Sequence, residues 1–83
     1  MYDITIAKKA EKYILRLDRP TAKRIRDAID VIAADPTSGE ALTNHESEYK
    51  YRVGDYRILY DVYETTKIVA IVKVAGRGDV YKN

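Results

Sequence analysis

With 83 residues, no cysteine and 34% charged side chains, the chain has room for one domain, 1–83, and no means of stapling it with disulfides. Its 46% hydrophobic content excludes a disordered tail, and a net charge of +2 is too small to identify a nucleic-acid binder by itself. The longest apolar stretch, Ile68 to Val72, is far short of the roughly 20 residues of a membrane span, and no secretory signal is visible, so a cytoplasmic protein is expected.

Tyr2 to Ala7 alternates, with Tyr2, Ile4 and Ile6 on one side, which predicts a first strand. Ala7, Ala10, Ile14 and Leu17 then share one helical stripe and predict a helix of about Lys8 to Leu17. Asp18-Arg19-Pro20-Thr21 breaks it, because Pro is tolerated only in the first turn of a helix. A second helix is expected from about Thr21 to Ala34, with the apolar face Ile25, Ala28, Ile29, Ile32 and Ala33. Asp35-Pro36 ends it, since a residue before Pro disfavours the helical region. Thr37 to Ser47 reads as a polar connection, and Tyr49 to Tyr60 as a hairpin. A turn at Glu64 to Lys67 leads to a last strand, Lys67 to Ala75. That strand is apolar on both faces at Ile68 to Val72, as expected well inside a sheet. Gly76-Arg77-Gly78 closes it and leaves the tail Asp79 to Asn83. The order β-α-α-β-β-β groups helices early and strands late, which indicates an α+β fold.

The hairpin, YKYRVGDYRILY, is the most informative stretch. Gly54-Asp55 makes a two-residue loop that suits a type II′ turn, and so short a loop fixes the strand register. Val53 then opposes Tyr56, Arg52 opposes Arg57, Tyr51 opposes Ile58 and Lys50 opposes Leu59. Opposed residues share a face. One face therefore carries Tyr49, Tyr51, Val53, Tyr56, Ile58 and Tyr60, a core surface. The other carries Lys50, Arg52 and Arg57. Like charges directly opposite are destabilising, so the pairing suits a site that waits for a polyanion. Charge counts agree. Residues 36–48 hold three acids and no Lys or Arg, whereas residues 49–83 hold seven Lys and Arg against four acids. Read alone, a basic hairpin is more often a solvated face. His45 stands in a polar loop without Cys or a second His, so no metal site is expected.

The segments YKYRVGDYRILYDV and VAGRGDVYK together resemble the RelE branch of the RelE/ParE superfamily, toxins of prokaryotic toxin–antitoxin pairs. The resemblance covers nearly the whole chain. It implies a helical hairpin packed on a small, mainly antiparallel twisted sheet. It also implies an mRNA interferase that cuts the message in the ribosomal A site, without metal or cofactor, through attack of the ribose 2′-OH on the adjacent phosphorus. Carried over by motif, Lys50 and Arg52 match the basic residues of the first hairpin strand, Arg57 the Arg after GDY, and Arg77 and Tyr81 the Arg and Tyr of the last signature. The implied roles are general base for Lys50, phosphate clamp for Arg57 with Arg52, leaving-oxygen stabilisation for Arg77, and base stacking or nucleophile orientation for Tyr81. Many relatives carry a His in the last signature that is lacking here, which argues against a histidine mechanism. Glu40 and His45 are remoter candidates for the base. The family implies an antitoxin that wraps the toxin and covers its basic surface. Two other readings fit the same residues: a ParE-like toxin that inhibits DNA gyrase, and a module that grips RNA or ribosome without cutting.

Overall fold

Ile25, Ile32, Ile58, Tyr60 and Val69 are completely buried, and they tie the second helix to the middle of a five-stranded sheet. The computed structural model describes residues 1–43 and 47–76. Its elements are β1 (Asp3–Ile6), α1 (Lys8–Leu15), α2 (Arg19–Ala34), a single 3-10 turn (Pro36–Ser38), β2 (Glu40–Ala41), β3 (Tyr49–Val53), β4 (Tyr56–Tyr63) and β5 (Ile68–Gly76). The sheet order is β1-β5-β4-β3-β2. Only β1 and β5 run parallel; the other neighbours are antiparallel. This is the α+β fold expected, with the apolar run of β5 flanked by strands on both sides.

The helices follow their stripes with adjustments at the ends. Ala10 and Ile14 of α1 are buried, but Ala7, counted in the stripe, is exposed and caps the helix in an extended conformation. The last turn of α1 tightens, with the Leu17 N–H bonding the Ile14 carbonyl at 3.1 Å, so the α-helix stops at Leu15. α2 starts two residues earlier than Thr21 because Asp18 caps it. The Asp18 carboxylate accepts from the Thr21 N–H at 3.2 Å and the Thr21 hydroxyl at 3.0 Å, which holds it below the usual carboxylate range. Ala22, Ile25, Ala28, Ile29, Ile32 and Ala33 are all buried, as the spacing predicts.

Both helices pack on the sheet face that carries Ile58, Tyr60, Val69, Ile71 and Val74. In β5 that face is kept only by an irregularity. Leu59 pairs with Lys73 and Tyr60 with Ile71, so Val72 is an extra residue between them. Inward positions therefore run Val69, Ile71, then Val74, and Lys73 is turned to the opposite face.

Two features were not expected from sequence: the two-residue strand β2 and the turn before it. β2 lies inside the stretch read as a polar connection, and the turn overlaps its start. Their anchor is Tyr60, whose hydroxyl donates to the Pro36 carbonyl at 2.6 Å and accepts from the Gly39 N–H at 3.1 Å. Its ring stacks on Tyr49, centroids 5.3 Å apart and planes 11° from parallel. Burial pushes the Tyr60 phenol up to about 12 from an ordinary value of 10.0. The folded state thus holds this proton more tightly than the unfolded chain. Its contribution is full below the unfolded value and lost as pH rises toward the folded one. Between those values stability is expected to fall with a slope approaching about 1.4 kcal/mol per pH unit. Urea midpoints measured across this alkaline range check it, and Tyr60→Phe should lack this part of the slope.

Candidate nucleic-acid interface

The register read from the turn is the register observed. Tyr49 pairs with Tyr60, Lys50 with Leu59, Tyr51 with Ile58, Arg52 with Arg57 and Val53 with Tyr56. Gly54 has φ 58° and Asp55 has no positive φ, which fits the type II′ turn. A side chain at Gly54 would also meet the Arg24 guanidinium, with Nη2 only 2.7 Å from an added Cβ. Tyr60 and Ile58 are core, and Tyr49, Tyr51, Val53 and Tyr56 pack against it half-buried.

Lys50, Arg52 and Arg57 consequently share the sheet face away from the helices. β4 lies between β3 and β5, so the partner of Leu59, Lys73, joins the same face one strand further on. Neighbouring strands are spaced about 4.8 Å apart, so Lys50 and Lys73 begin on backbones roughly 10 Å from each other. Arg52 is exposed, whereas Lys50, Arg57 and Lys73 are half-buried. Arg57 has the small residue Ala75 beside it on β5.

Glu40 enters this face through β2. It pairs with Lys50 in register, and its carboxylate lies 3.6 Å from the Lys50 ammonium. The Lys50 side chain is 20% exposed and that of Glu40 71%, so the acid sits at the rim. Ser38, Gly39, Glu40, Lys50, Tyr51 and Arg52 together line a shallow pocket at the β2–β3 edge. The fit for a phosphodiester is chemical: planar guanidiniums that bind phosphate in a fork, and a neighbouring amine.

Of the five residues assigned from the sequence, Lys50, Arg52 and Arg57 are brought together. Arg77 and Tyr81 lie outside the described residues, as do His45 and Gly78. Gly76, the last residue of β5, faces inward; a Cβ there would come within 2.9 Å of the Tyr13 hydroxyl. Two members of the face were not assigned to it from sequence. Lys73 was hidden by the extra residue in β5, and the pairing of Glu40 with Lys50 by a strand too short to show a pattern.

Residues 4–81 match the family model of the ParE toxin of the type II toxin–antitoxin system parDE. A curated relative from Methanocaldococcus jannaschii, provisionally named toxin RelE1, is 25% identical over 87 residues, covering 99% of this chain and 97% of its own length. The archaeal RelE of the RelE–RelB complex from Pyrococcus horikoshii superposes with a TM-score of 0.80 at 26% identity, over 93% of this chain and 96% of that one. RelE in the intact Escherichia coli RelBE complex gives 0.79 at 18% identity, over 92% and 96%, a likeness of fold. The fold of two helices on one face of a five-stranded sheet is thus shared with solved toxins, and the chain belongs to the RelE/ParE superfamily, the toxins of type II toxin–antitoxin systems.

Proposed function

We propose that this toxin is a ribosome-dependent mRNA endonuclease that uses the ribose 2′-OH of the message as its nucleophile. The observation that carries the reading is Arg52 directly across from Arg57, with Lys50 beside them, on the sheet face the helices leave open. In the reaction the 2′-OH gives its proton to Lys50 while O2′ bonds to the adjacent phosphorus. The P–O5′ bond breaks, O5′ takes up a proton, and a 2′,3′-cyclic phosphate remains. Arg57 clamps the phosphate whose charge grows in the phosphorane, and Arg52 shares that clamp or holds the neighbouring phosphate. Arg77 steadies the leaving oxygen, and Tyr81 stacks on a base or orients the nucleophile. In the free toxin Glu40 pairs with protonated Lys50, which must release that proton to solvent as the message enters before it can act as base. So few catalytic groups suit an enzyme whose substrate is aligned by the ribosome. The place of action is then the cytoplasm.

The same reading gives the protein an antitoxin partner. The Pyrococcus and Escherichia relatives were solved as RelE–RelB and RelBE complexes. In this chain the exposed apolar residues Leu15 and Val31 on the helices, and the outer edge of β3 beyond its two residues of pairing with β2, are surfaces for such a segment.

A second reading, inhibition of DNA gyrase, is favoured by the family model, whose description is of ParE. Primer extension on messages from ribosomes exposed to purified protein separates the two. Discrete breaks inside codons are expected. Intact RNA with blocked supercoiling means a gyrase toxin, and intact RNA with stalled ribosomes means a binder that does not cut.

A further inference from the structure

We propose that Tyr60, a core residue, is a positioning residue for Lys50: its hydroxyl fixes the Pro36–Gly39 turn and so sets β2, with Glu40, against the strand that carries Lys50. The inference rests on the reading that Lys50 takes part in RNA cleavage.

Tyr60 points toward the helices and Lys50 toward the opposite side of the sheet. Besides the pairing of their strands, the two meet at Gly39. A Cβ built there would lie 2.3 Å from the Tyr60 hydroxyl oxygen and 2.8 Å from the Lys50 carbonyl oxygen. No larger residue fits between them without shifting one or the other. The hydroxyl is satisfied in both directions by this turn, as donor to Pro36 and acceptor from Gly39. Packing has no need of it, since the ring alone fills the core and stacks on Tyr49.

This anchor ties the turn to the sheet, whereas the Asp35 carboxylate, which accepts from the Thr37 N–H and hydroxyl, holds the turn only to itself. β2 pairs with β3 through Glu40 and Ala41 only, both exposed, and so short a strand contributes little hold of its own. Beyond it, the Leu42 N–H bonds the Glu48 carbonyl at 2.8 Å. Losing the phenol hydroxyl would strip one partner from the Pro36 carbonyl and one from the Gly39 amide, and the turn would leave its place against Lys50. The effect crosses from the buried face to the open face by way of the sheet edge.

The test uses full-length protein on message-programmed ribosomes. Tyr60→Phe is expected to lower kcat at least ~10-fold with KM changed less than ~2-fold, the pattern of a misplaced group and not of lost binding. In a Lys50→Gln background Tyr60→Phe should add less than a ~2-fold further loss, because both changes act through one group. Amide exchange at Gly39 should quicken by at least ~10-fold. Ile58→Val, which loosens the same core without touching the turn, should keep its rate. Gly39→Ala keeps the core sequence unchanged and wedges a methyl between the turn and the hydroxyl, so it should reproduce the kcat loss even if Tyr60→Phe folds poorly. Wild-type protein that leaves message intact overturns the nuclease reading and this role together. With a wild type that cuts, a Gly39→Ala protein of normal rate, equal losses for Tyr60→Phe and Ile58→Val, or additive losses with Lys50→Gln each overturn the role of Tyr60 alone.

Discussion

Arg57→Ala is expected to abolish growth inhibition while the protein melts within a few degrees of its parent. The two halves of this expectation have different causes. Arg57 stands on β4, between Arg52 on one side and Ala75 on the other. Removing it deletes a fixed positive charge where the phosphorane would form, a loss that typically costs at least about a hundredfold in rate. For the fold the change is mild. Ala is a weaker strand former than most, by at most about 1 kcal/mol, and relief of the repulsion from Arg52 offsets part of that. Growth assays alongside thermal melts decide it. A variant that kills as well as the parent removes Arg57 from the site, and one that melts far lower makes it a structural residue.

The largest effect expected is on the substrate side. Lys50, Arg52, Arg57, Arg77 and Tyr81 include no carboxylate and no histidine, so these groups cannot ready a water molecule in the usual way. In the proposed mechanism the nucleophile therefore comes from the RNA. A message with 2′-deoxy or 2′-O-methyl at the scissile nucleotide should therefore enter the ribosome, bind the toxin and stay whole. An unmodified message should be cut even with EDTA beyond what the ribosome's own magnesium requires, leaving a 2′,3′-cyclic or 3′-phosphate end. Product ends resolved by electrophoresis before and after phosphatase treatment read this directly. Cutting of the modified message at a rate near that of the unmodified one would falsify the mechanism.

How much of this was legible in the chain depended on the range of the forces involved. The hairpin was read correctly residue by residue because a two-residue loop leaves its strands one register. The face of α2 was legible because Ile25, Ala28, Ile29 and Ile32 repeat at the helical period. β2 was not, because nothing local makes Glu40 and Ala41 a strand. They pair with β3 next to a turn whose long-range bonds come from a hydroxyl that reaches Pro36 across 24 residues of sequence and Gly39 across 21. Ala7 was misplaced because a small apolar residue fits the cap position as well as the stripe. In the site, Lys50, Arg52 and Arg57 followed from register alone. Lys73 did not, because Ile68 to Val72 is apolar at every position and so carries no period that would show where the phase changes.

That change of phase at Val72 divides β5 into two short strands with different obligations. Before it, the side chains that matter face the helices, and their requirement is to be oily and well shaped. After it, Lys73 looks out on the open face while Val74 still looks in. The bulge thus sets the parity of the second half. Ironing out the irregularity with Val72 retained would turn Lys73 inward and Val74 to the open face, whereas loss of Val72 would leave a regular strand on which Lys73 still faces out and Val74 in. With nine residues in the strand, it is the bulge that keeps the lysine out of the core.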